Sequence, residues 1–525
     1  MGRSPVSPMQ PDAMQEIINV LFPEREDRDS PVWTIPDDEC PLFSAAELRR
    51  VVRGLKGGRA PSPDGIPVEV YKALVPQHEE LLLSTYNSCI SVGVFPARWR
   101  LQRLVLLDKG KGPPYTPSSY RPLCMLDVAG KIFESLIRNR LRIEVANGGG
   151  LAENQHGFRL GCCTISAISE ALSFAKRAWT GNYRSLLSHT VHPSLVATKV
   201  DTWLSDHGMS LAKAKTEVIV LTAQRWFPSP FRALVVDQHV ESGSYLKYLG
   251  VTIDTKLTFR DQIVGAAKKA TTLVASLSRL MPNVGGPRSS RRRVFMSVSH
   301  SIMLYGAEIW CESLKAESYR RRLASVQRRG AVRVACAYRT VSEAAVAVIA
   351  GVIPIDLSGF ERKRIWDARR AGEEPLESVK AREREETLKL WQERWESAET
   401  GRWSFRLIKR VRDWITRKGG GGVDYYLTQF LSSHGQFNEY LYRMGIRTDP
   451  YCQYCPNVVD SAEHTFFFCQ RWSEIRLRFQ NEKEVPNVAD LVIPWMLATA
   501  DNYRTMTVFV KEVLKEKKKE EETER

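Results

Sequence analysis

The chain has 525 residues, with 76 Lys+Arg against 60 Asp+Glu for a net charge of +16 and an isoelectric point near 9.4. At 43% hydrophobic and 26% charged residues it has the composition of a globular protein of several domains and lies outside the disordered range. The longest weakly polar stretch, Ala344–Ile355, falls far short of the ~18 residues of a membrane span. The residues up to Pro11 have no apolar core of a secretory signal, so the expectation is an intracellular protein, nuclear or cytoplasmic, with no membrane partner. Ten cysteines, three of them between Cys452 and Cys469, are too sparse and uneven for a disulfide scaffold.

Residues 1–43 are rich in Pro and acids and read as a linker. Ser44 is placed to cap a helix over Ala45–Leu55, with Glu47 completing a capping box. Gly and Pro between Gly57 and Pro67 make a rigid turn before a second helix over Val68–Gly93. Arg103–Asp108 is a short apolar strand ending in the loop Lys109–Ser119. Helical patterns follow at Lys131–Val145, Thr164–Trp179 and Pro193–Gly208, and β-branched runs at Glu217–Thr222 and Tyr248–Ile253. From Ile263 to about Ile415 the pattern is mostly helical, with breaks at Pro282–Pro287 and Pro354. Lys418–Gly422 is a glycine-rich hinge before a small aromatic, cysteine-containing unit and a charged tail.

Two features carry chemistry on their own. Cys452, Cys455, His464 and Cys469 are spaced C-x2-C-x8-H-x4-C, and three thiolates with one imidazole can close a tetrahedral structural zinc site. Aromatic residues crowd these ligands and suit either a miniature core or stacking on bases. The second feature is charge. Between Arg279 and Arg339 stand 13 Lys+Arg and 3 Glu, a net of +10 in 61 residues, which fits a phosphate-binding surface or a solvated helix face. Arg288, Arg291, Arg292, Arg293, Arg321, Arg322, Arg328 and Arg329 are its candidate nucleic-acid contacts.

Further blocks present basic side chains from Pro/Gly-fixed turns. They are Ala60-Pro61-Ser62-Pro63-Asp64-Gly65-Ile66-Pro67, Trp99–Lys109, Ser119-Tyr120-Arg121-Pro122-Leu123, Gly130–Glu134 and Asn154-Gln155-His156-Gly157-Phe158-Arg159. In this order they resemble the fingers and upper palm of reverse transcriptases of non-LTR (LINE-type) retrotransposons. The likeness is greatest to the arthropod group that inserts into ribosomal DNA or other fixed repeats. It resumes at Trp203–Ala212, Lys215–Glu217, Tyr248–Asp254 and Leu304–Trp310 and ends with the Cys/His unit, spanning about residues 44–480.

The resemblance implies RNA-directed DNA polymerisation, used for target-primed reverse transcription, with RNA and DNA as partners and Mg2+ as cofactor. It also implies nucleotide contacts by Arg121 and, less directly, Lys109. Yet the family's metal-holding Asp motifs and the loop between them are missing, and the family's Gly-Arg-Ser-Thr stands here as Gly161-Cys162-Cys163-Thr164. The order of the blocks puts the loss between about Ser185 and Ser194. Asp37-Asp38 lies in the linker, and Asp201, Asp206 and Asp254 fit caps or surface charges better than metal ligands.

The expected fold is α/β (α+β): 1–43 linker, 44–185 right-hand polymerase fingers and upper palm, 186–262 palm remnant, 263–417 basic thumb-like helices, 423–480 CCHC zinc knuckle and 481–525 charged helical tail. Two functions follow, a catalytically inactive reverse transcriptase without bound Mg2+, or a non-enzymatic zinc-knuckle nucleic-acid binder derived from one. Loss of the central palm should loosen packing across residues 185–260.

Overall fold

The computed structural model describes residues 11–23, 40–58, 62–110, 112–113, 115–179, 193–222, 230–372, 374–417 and 421–523. They form two compact units, Met1–Gln155 and His156–Arg525. The boundary between these two units falls at Gln155. The junction Ser185–Ser194, apart from the start of one helix at Pro193, and the pair Asp37-Asp38 lie outside the described residues.

In the first unit, helices α1 (Pro11–Leu21), α2 (Ala45–Gly54), α3 (Val68–Ser91) and α4 (Ala97–Arg100) precede strands β1 (Arg103–Asp108) and β2 (Tyr120–Met125), and helix α5 (Val128–Asn147) follows. The stretch read as a linker therefore carries a helix, and its Ile17 is buried with Leu106 of β1 and Tyr120 of β2. The capping box at α2 forms: the Ser44 N–H donates to Glu47 Oε2 at 2.8 Å, and the Glu47 N–H donates to Ser44 Oγ at 3.3 Å. Strands β1 and β2 pair antiparallel with Leu107 opposite Arg121. Phe43, Tyr86 and Phe133 are buried at the centre of this unit, with Phe95 and Trp99 packed on them. Asp127, at the start of α5, accepts the Asp64 N–H at 3.1 Å and so fixes the Pro/Gly turn against the helix.

The second unit begins with α6 (Thr164–Trp179) and α7 (Pro193–Asp206). Short strands follow: β3 (Val218–Ile219), β4 (Arg232–Val235), β5 (Gln238–Gly243), β6 (Tyr245–Tyr248) and β7 (Val251–Asp254). They make a three-stranded sheet ordered β3-β5-β4 and a separate antiparallel β6–β7 hairpin. The rest is helical: α8 (Arg260–Ser278), α9 (Ser289–Met303), α10 (Ala307–Trp310), α11 (Glu317–Val334), α12 (Glu343–Ala350), α13 (Ile355–Ala371) and α14 (Leu376–Glu396). Then come α15 (Arg402–Leu407), α16 (Val411–Ile415), α17 (Tyr425–Ser432), α18 (Asn438–Arg443), α19 (Ser473–Lys483), α20 (Ala489–Ala498) and α21 (Ala500–Thr523).

The run Tyr248–Ile253 is not one strand. The chain turns at Leu249 and Gly250, both at positive φ, as a two-residue hairpin requires. A Cβ on Gly250 would come 2.8 Å from Tyr305 Cε1, and the Tyr305 hydroxyl donates to the Leu249 carbonyl at 2.9 Å. Asp254 then accepts from the N–H groups of Lys256, Thr258 and Phe259, fixing the entry to α8.

Apolar side chains of α7 and β6 stand exposed, Trp203 and Tyr245 among them, as loose packing near 185–260 would have it. Val251, Ile253 and Phe259 do not follow suit; they are buried in the main core. The segment 481–525 is also more than a tail, since α20 and α21 bury Val492, Met496, Phe509, Val510 and Leu514. Among the described residues no single helix is long and apolar enough to cross a membrane.

One ion pair in the first unit titrates. Arg140 donates to both carboxylate oxygens of Glu47, at 3.0 and 3.1 Å, and this bonding holds the Glu47 carboxyl down at about 2. A depressed carboxyl stabilises the fold above its ordinary value of 4.5, and that stability is lost as pH falls toward about 2. Urea unfolding of the first unit followed across that window should therefore show an acid loss that Glu47→Gln flattens. An identical acid limb in the variant would remove the pair from the stability of this unit.

Candidate metal centre and nucleic-acid interface

The four Cys/His ligands converge because two local structures present them. A hairpin carries the first two: the Cys452 N–H donates to the Val458 carbonyl at 2.8 Å, and Asn457 takes the left-handed conformation at its turn. His464 opens a π-helical turn through Phe468, and the Cys469 N–H closes it on the His464 carbonyl at 2.8 Å. The ligand atoms of Cys452, Cys455, His464 and Cys469 lie within 4.8 Å of one another, and all four residues are buried.

Cys452 Sγ and Cys469 Sγ are 3.8 Å apart, matching the edge of about 3.8 Å set by a tetrahedron with Zn–S bonds of about 2.3 Å. His464 Nε2 is buried with no hydrogen-bond partner among the described residues, as an atom awaiting a metal would be. Burial pushes the Cys469 thiol up to about 12 and the His464 imidazole below its ordinary value. Burial thus favours the neutral forms of Cys469 and His464, and binding of a cation would release thiol protons.

Asp460 organises the surroundings. It accepts from the Asn438 N–H at 2.8 Å, from the Thr465 hydroxyl at 2.9 Å, and from Lys517 Nζ of α21 at 2.7 Å. The aromatic crowd divides: Phe466, Phe467 and Trp472 join the main core with Phe430 and Phe509, whereas Tyr451, Tyr454 and Phe468 are exposed. Each exposed ring belongs to the residue just before one of the cysteines.

The eight candidate arginines are not equivalent. Arg292 is only 1% exposed, and its guanidinium donates to the carbonyls of Pro287, Met281, Arg333 and Pro282 at 2.6, 3.2, 2.9 and 2.6 Å. It is therefore a tie within the core and unavailable to nucleic acid, contrary to the expectation. Arg293 donates to the Ala350 carbonyl at 3.1 Å, Arg328 donates to the carbonyls of Arg339 and Val341, and Arg321 pairs with Glu317. Arg288 and Arg291 beside and on α9, and Arg322 and Arg329 on α11, are exposed with no carboxylate partner among the described residues. Helices α9 and α11 pack against each other.

Lys109 and Arg121 sit on one hairpin, at the end of β1 and on β2; both are exposed, and Lys109 Nζ donates to the Ser118 carbonyl at 2.8 Å. Among the described residues the Cys/His quartet is the one group of metal-ligating side chains brought together. Asp254 is committed to its turn, and Asp201 and Asp206 lie on α7 outside any such group.

The chain is similar to proteins of R1 and other non-LTR retrotransposons, RNA-directed DNA polymerases among them. The 115 kDa protein of the type-1 element R1DM of Drosophila melanogaster is 24% identical over 590 positions, covering 89% of this chain and 56% of that protein. The Pol polyprotein of the type-1 element R1 of Bradysia coprophila is 22% identical over 588 positions, covering 88% and 58%. The RNA-directed DNA polymerase of the D. melanogaster mobile element jockey is 30% identical over 132 residues, 25% of this chain and 14% of that protein. The chain thus spans little more than half the length of the two R1 relatives. No protein-family model matches it.

Proposed function

We propose that this chain is a retrotransposon reverse transcriptase that keeps its nucleic-acid-binding parts and a zinc-stapled C-terminal unit but not the carboxylates of polymerisation. One observation carries the reading. The alignment to the R1DM protein runs over 590 positions, more than the 525 residues of the chain, of which only 89% take part. Well over a hundred positions of the relative therefore stand opposite gaps in this chain. Gaps of that total length favour the lost palm that the order of the blocks puts between Ser185 and Ser194.

In polymerases of this kind two Mg2+ ions activate the primer oxygen and neutralise the leaving pyrophosphate. The described carboxylates of this chain do not fit such a pair, so no polymerisation step is derived for it. What remains is binding. The first unit corresponds to fingers, with Lys109 and Arg121 toward a nucleotide's phosphates, and α8–α11 correspond to a thumb. Arg288, Arg291, Arg322 and Arg329 hold the backbone of RNA or DNA there. The Cys/His cage holds one structural Zn2+, which ties the hairpin at Cys452 to the turn at His464.

Counterion release gives this interface a signature. With four phosphate contacts, log affinity should fall against log salt with a slope of about −3.6, and Arg322→Gln with Arg329→Gln should reduce the slope by about 1.8. A salt-independent affinity, or a slope unmoved by the double substitution, would overturn the interface. The same preparation should show no Mg2+-dependent extension of a primed RNA template, and clear nucleotide incorporation would overturn the loss of catalysis. Native mass spectrometry should find one Zn2+ per chain, absent in Cys469→Ser. Chelation should lower the unfolding midpoint of the second unit, whose core contains three of the ligands, and leave the first unit unchanged. A metal-free chain with an unaltered midpoint would rule the zinc staple out.

A further inference from the structure

The second unit contains a cavity of about 660 Å3 away from the Cys/His cage, with Arg288 of the basic surface at its rim. Its wall is made by the loop before α9, the first turn of α9, Gly422 with the start of α17, and the first turns of α21. Helix α9 starts uncapped: Arg288 stands at the cap position without a side-chain hydrogen bond, and the first turn holds no acid. Its leading N–H groups thus lack a side-chain acceptor at the positive end of the helix dipole.

A helix terminus alone binds nothing in particular, but here three other observations converge on it. Ser289, in the first turn and only 4% exposed, makes no side-chain hydrogen bond among the described residues. The Oη of Tyr503, a residue 7% exposed, meets no partner at hydrogen-bond geometry, though Arg417, which donates to the carbonyls of Gly421 and Trp414, lies beside its ring at 5.9 Å. Both side chains are in the wall of the cavity, and a Cβ on Gly422 would collide with Ser289 Oγ, so the glycine keeps that hydroxyl clear. The third observation is charge. Arg288, Arg292 and Arg504 line the cavity; Arg504 pairs with the exposed Asp501 at 3.6 Å, and the one carboxylate in the wall, Asp424, is engaged in capping α17 by accepting the Leu427 N–H at 2.8 Å. Arg292 is buried on carbonyls alone, so its charge has no carboxylate to balance it.

We propose that this cavity binds a nucleoside 5′-phosphate, carried either by a free mononucleotide or by the 5′ end of a strand. The phosphate accepts from Ser289 Oγ, Tyr503 Oη and the leading N–H groups of α9, and its charge offsets Arg292 below and Arg288 and Arg504 at the rim. The volume exceeds what a bare phosphate fills and leaves room for a nucleoside. The surplus of cations over carboxylates excludes a divalent metal as the occupant.

The test uses the full chain and isothermal titration with inorganic phosphate, AMP, adenosine, and a short oligonucleotide with and without a 5′-phosphate. Two variants accompany it, Ser290→Asp and Arg504→Gln. Ser290 is exposed in the cavity wall, and a carboxylate there is favoured by the helix dipole, so Ser290→Asp should fold at least as well as the parent while repelling an anion. AMP should bind and adenosine should not, and Ser290→Asp should weaken AMP by about tenfold with no fall in unfolding midpoint. Arg504→Gln should weaken it by a smaller factor. If the 5′-phosphorylated strand outbinds its 5′-hydroxyl twin and loses that advantage in Ser290→Asp, the source is a strand end. If AMP alone shows the effect, the source is a free nucleotide. Equal binding of AMP and adenosine, equal AMP affinity in parent and Ser290→Asp, or no AMP binding at all would overturn the proposal.

Discussion

The guanidinium of Arg292 closes the helical core of the second unit. The chain between α8 and α9 leaves carbonyls at Met281, Pro282 and Pro287 with no helix or strand to receive them, and α11 ends nearby with the carbonyl of Arg333. One side chain with five donors in a fixed fork satisfies all four. A lysine has three donors and no such geometry, so the requirement is for arginine. The arrangement is costly, because a cation without a carboxylate is held at 1% exposure. Carbonyl dipoles offset part of that cost, and the residual positive field is what makes the neighbouring cavity a place for an anion.

A second constraint explains why two distant blocks look like the same family. Tyr248–Asp254 and Leu304–Trp310 are separated by fifty residues of chain but form one interlock. Tyr305 leans on Gly250 and bonds the Leu249 carbonyl, while a Cβ on Gly306 would come 2.6 Å from Val251 Cγ2. Trp310, fully buried, donates back to the Tyr305 carbonyl at 2.9 Å. Each glycine has a positive φ and a side chain pressed against it, so neither position tolerates substitution. In this chain the two blocks are two halves of one joint.

What the sequence could reveal followed the range of the interaction. The capping box at Ser44, the strand Arg103–Asp108 and the Cys/His quartet were legible because their partners lie within a few turns of chain. The hairpin at Leu249-Gly250 lies inside a run whose β-branched end, Val251–Ile253, reads as one strand. Strands β4 and β5 were missed, although the alternation through Arg232–Gly243 with a turn at Val236-Asp237 was there to read. The arginine cluster was misjudged for a different reason. A charge sum counts cations and not their partners, and here one is buried, two are spent on carbonyls and one is paired, leaving half for a ligand. Nothing local could show that Asp460 meets Lys517, fifty-seven residues on.

That last pair changes what the Cys/His cage is. A retained knuckle on a linker could be lost without consequence for the rest of the chain. This one shares its core with α12, α17 and α21 through Phe466, Phe430 and Phe509, so its ligands are set by the same packing that holds the thumb-like helices together. The core also draws on no central sheet: the β6–β7 hairpin lies against α8, and the β3-β5-β4 sheet contributes no buried residue to it. The core of the second unit is thus built from helices and one hairpin, independent of a central sheet. In the proposed reading, that independence is what lets binding outlast catalysis.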